Sequence, residues 1–486
     1  MRAAISKVAK RRGEEHMGQS SRPASHCYNI TVSSFYVENF GCRATQADGA
    51  AIERDLLQLG MKRAGDPGHA EVVVLNTCTV TASADHDVRA TIRRIHRENP
   101  RCQILVTGCY AQRAPQEVAS LPGVSAVVGN SHKQQVAGIA AEKLVSHSPD
   151  FIPLGKLENW KAKAENANKP QPEIYVGDIF AHTELMGAPV FDAGAERTRP
   201  NLKVQDGCNN RCSFCVIPFV RGRSRSLKLD EVLREVDQLV RCGYHEVVIS
   251  GINLGRWGRD FEQKRKFEEL LRAILENTSL ERLRISSVEP MDWSDELIAL
   301  VASSPRIAKH AHVPMQSGSD RVLRRMHRKY RPWHYAERIR KIRAAMPAAA
   351  IGADVMVGFP GETELDFEET RMMVEQLPFT YLHVFTYSSR PGTPSAAMPE
   401  QVPGPAMRER NRILRDIAAE KKMAFQQSFI GKTASAITLT VFDGAHTEAL
   451  TDNYQKLWIA GHHQPNQMIN VRVEGVTFDG MLGTAT

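Results

Sequence analysis

No apolar run in this chain approaches the roughly 18 to 20 consecutive residues that a membrane helix requires, so nothing in it reads as a bilayer span. The basic opening MRAAISKVAKRRGEE is followed by no apolar core, which argues against a secretory leader. Nine cysteines in 486 residues are too few, and odd in number, for a disulfide-stapled scaffold. Without an export signal they point to metal binding or catalysis, because the cytosol keeps thiols reduced. A cytoplasmic protein with no membrane partner is therefore expected. The chain also lacks the apolar poverty of a disordered one, since 42% hydrophobic and 24% charged residues sit in the globular range. A formal charge of +8 biases it only mildly toward polyanions.

The length leaves room for about three domains. Residues 1–32 are rich in Arg, Lys, Ser and Gln without apolar period and read as a flexible basic extension. Over 33–146 short apolar runs (FYVENF, EVVVLN, QILVTG, SAVVGN) alternate with helical patterns, which predicts a small parallel-sheet α/β domain. Residues 147–199 carry Pro, Gly and Asn with little period and read as a linker. Six further strands, NLKVQ, EVVIS, LRISS, AHVP, IGADVMV and YLHVFTY, alternate with helices through 200–430 and suggest a partial (βα)6 barrel closed by a long helix. Residues 431–486 switch to period-two patterns and read as a small antiparallel β-barrel.

Directly after the first strand of the barrel series come Cys208, Cys212 and Cys215. A cubane 4Fe-4S cluster takes four cysteine ligands, so three on one tight loop leave an iron open to substrate. Structural zinc is the bland alternative, but it wants four ligands. The active site of such a barrel gathers at the C-terminal strand ends. Here those ends carry the cysteine loop, Gly251 to Asn253, Ser287 to Pro290, Gln316 to Gly318, Gly358 to Thr363 and Ser388 to Thr393. Any one of these is an ordinary turn or cap; their concentration on one rim carries the inference.

Cys42, Cys78 and Cys109 each lie just past a predicted strand of the first domain, in FGCRATQ, NTCTV and TGCYAQ. Adjacent parallel strands bring their C-terminal ends together, so three cysteines far apart in sequence can converge on a second cluster. The remaining Cys27, Cys102 and Cys242 read as small buried hydrophobes.

The CxxxCxxC spacing resembles the radical S-adenosylmethionine superfamily. Two such trios in this order resemble its methylthiotransferases, a likeness that runs from Phe35 to Thr486. It is carried by NTCT, DGCNNRCSFCVIPFVRGRSRS, HVPMQSGSDRVLRRMHRKY, DVMVGFPGETELDFEET and HVFTYSSRPGTP. The resemblance implies two 4Fe-4S clusters, one on Cys208, Cys212 and Cys215, the other on Cys42, Cys78 and Cys109. It also implies S-adenosylmethionine held by Gly251, Asn253, Glu289, Gln316, Ser317 and Gly358. The implied reaction replaces a C–H with a methylthio group. One S-adenosylmethionine supplies the methyl, another the radical, and the second cluster presents the sulfur. The terminal barrel is expected to be TRAM-like and to help hold substrate.

Among the branches, RGRSRS and GINLG look most like the tRNA enzymes acting on N6-threonylcarbamoyladenosine beside the anticodon. A loop base can be splayed out without melting a helix, so the anticodon loop is the expected partner, alongside an electron donor and a sulfur donor that the sequence does not name. Arg221, Arg223 and Arg225 are candidates for phosphates or the threonyl carboxylate, the alternative being a solvated basic loop. Arg321 to Arg343 holds ten Lys or Arg against only Glu337, with Tyr330, Trp333 and Tyr335 among them, and resembles an RNA-facing surface. Two features depart from the pattern. Thr45 stands where the family more often has Asn. The terminal barrel has three Lys or Arg against five Asp or Glu, a balance better suited to a basic ribosomal protein.

Overall fold

The computed structural model describes residues 33–145, 171–182, 185 and 198–486. The expected N-terminal extension, Cys27 and most of the expected linker lie outside these residues.

The first domain is a parallel sheet of β1 (Ser34–Asn39), β2 (Lys62–Arg63), β3 (Val72–Thr77), β4 (Gln103–Gly108), β5 (Val124–Gly129) and β6 (Glu173–Tyr175), in the order β2-β1-β3-β4-β5-β6. All six residues of β3 are buried, as befits a strand covered by helices on both faces. One apolar cluster packs Val88, Ile92 and Ile95 of the helix Ala82–Glu98 against Val73, Leu75 and Ile104, and another packs Ile52 and Leu56 of Arg43–Gln58 on the opposite face. β6 corrects the linker expectation: part of that segment returns as an edge strand parallel to β5. Its signal is weak because EIY is only three residues long.

The second domain has β7 (Asn201–Asp206), β8 (Arg225–Ser226), β9 (Glu246–Gly251), β10 (Arg282–Ile285), β11 (His310–His312), β12 (Ala350–Val357) and β13 (Tyr381–Thr386). The six expected strands are β7 and β9 to β13, all parallel where they pair; β8 is an added antiparallel partner of β7. Between β10 and β11 the continuous ladder gives way to a single bridge, Leu283 to Ile307. Strand alternation sorts the side chains. Leu202, Val204, Val247, Ile249, Leu283, Ala311, Ile351 and Val355 enter the apolar core beneath the helices. Lys203, Gln205, Glu246, Ser250, Arg284, His310, His312 and Asp354 alternate with them and face a polar interior.

The helix Gly404–Gln427 leads into a closed barrel of β14 (Thr433–Phe442), β15 (His446–Thr451), β16 (Lys456–Ala460), β17 (Met468–Thr477) and β18 (Gly480–Ala485), ordered β14-β15-β16-β18-β17. Closure leaves no open sheet edge. The barrel is not wholly antiparallel, because β16 and β18 run parallel.

Candidate active site

β7 ends at Asp206, and the chain turns through Gly207 at φ +71° into Cys208. A Cβ on Gly207 would overlap the Arg223 carbonyl, so only glycine lets the cysteine loop lie this close. Buried Gln205 staples the loop. Its Nε2 donates to the Asp206 and Gly207 carbonyls at 2.9 and 2.8 Å, while its Oε1 accepts from the Asn253 N–H at 2.6 Å. Three further donors reach the cysteine sulfurs: Asn210 N–H at 3.4 Å and Asn253 Nδ2 at 3.5 Å on Cys208, and Arg328 Nη1 at 3.3 Å on Cys212. The buried Arg328 also pairs with Glu289. Burial pushes the Cys215 thiol up to about 12 and raises Cys208. Such thiols become ligands when a cation displaces the proton.

Ser250 Oγ, Asn253 Oδ1 and Gln316 Oε1 are buried on this rim without a hydrogen-bond partner. Gln316 is held at φ +64°, a strained conformation for a residue with a side chain. A cavity of about 150 Å³ adjoins the cysteine loop, lined by Asn209, Asn210, Ser224, Asn253, Arg256 and Lys329 among others. Three cysteines, two of whose sulfurs accept polar donors, and three orphaned oxygens fit an iron–sulfur cluster beside a polar small molecule. Ser317 and Gly358 lie in turns of the same rim. Ser317 Oγ accepts from Ser319 N–H at 3.1 Å and contacts Thr370 Oγ1 at 3.3 Å. Gly358 N–H donates to Glu362 at 3.0 Å, at φ +76°. Both shape the turns that present their neighbours.

The other three cysteines also converge. Cys42 caps the helix Arg43–Gln58, Cys78 follows β3, and Cys109 opens a short helix after β4. Gly41, at φ +101°, packs on Cys78 so closely that a Cβ would collide with it. Burial first, then the neighbouring Cys109 and Cys42, push the Cys78 thiol up to about 12, so the three lie within electrostatic reach. Thr45 Oγ1 lies 3.5 Å from Cys42 Sγ, and Asn130 Nδ2 donates to Cys109 Sγ at 3.5 Å. Among the described residues no such trio is tight enough to chelate one ion. A cubane takes each thiolate at a different iron and so needs a wider set. Cys102 is buried, with its thiol pushed up to about 11, while Cys242 is exposed rather than buried as expected.

One buried charge cluster locks the two trios together. Asp48 of the first domain pairs with Lys133 at 2.6 Å, with Lys203 and with Arg221 at 3.0 Å; Asp206 pairs with Arg221 at 3.0 Å and Lys203 at 3.1 Å, and has Arg225 at 3.7 Å. Asn130 Nδ2 also donates to the Val220 carbonyl at 2.7 Å. Arg390, from the predicted rim segment after β13, reaches back to pair with Asp85 and donates to Thr79 Oγ1 at 3.2 Å, beside Cys78. Arg221 is 1% exposed, and Arg225 donates to the Arg221 and Arg223 carbonyls at 2.8 and 3.1 Å. Only Arg223 of the three candidate arginines stands in solvent.

The basic stretch 321–343 is divided: of its ten Lys and Arg only Arg328 is buried, while Arg321, Arg324, Lys329, Arg340 and Lys341 are exposed. Tyr330 and Tyr335 are buried, Arg321 pairs with Asp366, Arg331 with Asp320, and Arg338 and Lys341 with Asp295; Trp333 is exposed. Sequence reasoning missed Asp48, Asn130, Arg328 and Arg390 as site residues. Each is a lone polar residue whose partner is distant in sequence, and Arg328 was hidden inside that basic stretch.

Residues 202–374 match the Radical SAM superfamily, and residues 34–129 match Uncharacterized protein family UPF0004. The chain is 36% identical over 428 residues to the threonylcarbamoyladenosine tRNA methylthiotransferase MtaB of Bacillus subtilis, covering 87% of this chain and 89% of that protein. It is 34% identical to the MtaB of Aquifex aeolicus, covering 90% and 99%. The chain belongs to the radical S-adenosylmethionine methylthiotransferase family. The family also includes the tRNA-2-methylthio-N(6)-dimethylallyladenosine synthase of Acidothermus cellulolyticus, to which this enzyme is 35% identical over 83% of its own length and 77% of the relative. Its cofactors are S-adenosylmethionine and 4Fe-4S iron–sulfur clusters. Among solved structures, the radical S-adenosylmethionine methyltransferase TsrM from Kitasatospora setae shares the fold, with a TM-score of 0.51 and 16% identity over 75% of each chain. No described helix of the methylthiotransferase is long and apolar enough to cross a membrane.

Proposed function

We propose that this enzyme replaces the C2 hydrogen of N6-threonylcarbamoyladenosine, next to the anticodon of cytoplasmic tRNA, with a methylthio group. The observation that carries the reading is the arrangement of two cysteine trios on two domains, fastened face to face through Arg221. Cys208, Cys212 and Cys215 would hold one cluster and Cys42, Cys78 and Cys109 the other. When bound, the clusters and S-adenosylmethionine supply the adenosyl radical and the methylthio group. The protein's own residues position and shield. Asn253 and Gln316 offer orphaned acceptors to the polar part of S-adenosylmethionine, Glu289 is held by Arg328 beside Cys212, and Ser317 and Gly358 hold the adjoining turns. The rigid Asp48–Arg221 contact fixes the gap between the sites, and fixed geometry of this kind is worth several kcal/mol of barrier. The MtaB relatives and the RGRSRS and GINLG segments support the threonylcarbamoyladenosine substrate.

Nucleoside mass spectrometry of tRNA from a deletion strain tests this. The methylthio group should vanish from threonylcarbamoyladenosine while the threonylcarbamoyl group stays. Loss of the mark from dimethylallyladenosine or from a ribosomal protein, with this nucleoside unchanged, would reject the substrate and leave the family chemistry intact.

A further inference from the structure

Arg43 follows the candidate cluster ligand Cys42 directly, at the start of the helix Arg43–Gln58 that lies against β7 and β9. Its backbone is pinned, because Asn201 Nδ2 donates to the Arg43 carbonyl at 2.9 Å. Its side chain is half-buried, and among the described residues it makes no ion pair. Among the described residues its guanidinium donates only to the Tyr454 hydroxyl, at 3.4 Å. Tyr454 is carried in from the terminal barrel at φ +66° and packs on His310 with ring centroids 4.7 Å apart and the planes tilted by 32°. A half-buried guanidinium that faces an aromatic hydroxyl and no carboxylate is an unbalanced charge.

The neighbourhood deepens the imbalance. Glu246 is shared by Arg284 at 2.7 Å, Arg282 at 3.5 Å and Arg199 at 4.0 Å. Asp452 adds a second carboxylate within electrostatic reach of Arg282. Three arginines thus share Glu246 before Arg43 is counted. Where the three domains meet, Arg43 and Arg199 line a cavity of about 280 Å³ with Asn201, Val248, Leu439 and Val441. Asn201 is nearly fully buried and its Oδ1 has no hydrogen-bond partner. Two cations, one orphaned acceptor and an apolar wall suit a group that carries an anion, a donor and a methyl.

In adenine, C2 and N6 flank N1 on one edge. A catalyst that reaches C2 therefore meets whatever hangs on N6. Because Arg43 adjoins Cys42 in the chain, its guanidinium is held within one side-chain length of the second trio. We propose that Arg43 recognises the carboxylate of the N6 substituent and selects an anionic, threonylcarbamoyl-type adenosine over uncharged ones; this rests on the tRNA reading above.

The test uses the reconstituted enzyme and two anticodon stem-loop RNAs, one with N6-threonylcarbamoyladenosine and one with its threonyl carboxylate converted to the primary amide. Kd and kcat/KM are measured for wild type, Arg43→Gln and Arg43→Lys. Wild type should prefer the acid by about 10- to 100-fold, the worth of a hydrogen bond to a charged group. In Arg43→Gln the preference should collapse to less than about threefold, with Arg43→Lys between them, because lysine keeps the charge without the fork. Equal losses on both RNAs would assign Arg43 to a phosphate or to folding and overturn the proposal, as would an undiminished preference in Arg43→Gln. Wild type that converts neither RNA, yet acts on one bearing dimethylallyladenosine, would overturn the substrate reading together with this one.

Discussion

The Arg221 guanidinium, six residues past the last cysteine of the radical loop, lies 3.0 Å from the Asp48 carboxylate of the other cysteine domain, and both side chains are 1% exposed. Removing one partner of a buried pair strands the other. Arg221→Met should therefore cost about 3–5 kcal/mol, read as a lower denaturant midpoint. Changing Asp48→Asn as well should cost less than the sum of the two single changes, because their interaction is counted once.

The same pair makes the fold acid-sensitive. Burial pushes the Asp48 carboxyl up, but Lys133, Lys203 and Arg221 outweigh it and hold it below the usual carboxylate range; Asp206 is held well below by Arg221, Lys203 and Arg225 against the same burial. Groups with depressed folded values stabilise the protein above the unfolded value of about 4 and lose that contribution as pH falls below it. Unfolding free energy should drop steeply below about pH 4, and the drop should be shallower in Asp48→Asn. Equal slopes would show that these carboxylates do not govern it.

Cysteine substitutions should separate the two sites. Cys42→Ala and Cys208→Ala should each remove one cluster, seen as half the iron and sulfide and as distinct Mössbauer spectra. Exposed Cys242→Ala should retain both. Identical spectra for Cys42→Ala and wild type would exclude the second cluster.

Gly207→Ala places a methyl against the Arg223 carbonyl at a backbone angle of +71°. Strain of order 1–3 kcal/mol falls on the cysteine loop alone. The variant should lose the radical cluster preferentially and cleave little S-adenosylmethionine, while keeping the cluster on the first domain.

Arg223 is the exposed member of its trio. If it meets a phosphate, Arg223→Ala should weaken tRNA binding and lower the slope of log Kd against log salt by about one. Arg338→Ala, which loses only an exposed pair with Asp295, should leave that slope unchanged.

The linear order of residues by itself determined the elements and their chemistry. Apolar period marked β1, β3 to β5, β7 and β9 to β13, and cysteine placement after strands marked both trios, because parallel strands end on a common rim whatever the details of packing. Only the tertiary structure decided which charges are spent. Arg221 and Arg225 look like RNA ligands in RGRSRS, and Arg328 and Arg331 look the same in their own stretch, yet most of these side chains are buried against carboxylates brought from elsewhere in the chain. Arg43 is the converse, an unremarked residue beside a cysteine that folding leaves without a counterion among the described residues. Local period encodes which face of an element is apolar; the partner of a charge depends on which distant segments fold against it, and no local pattern carries that information.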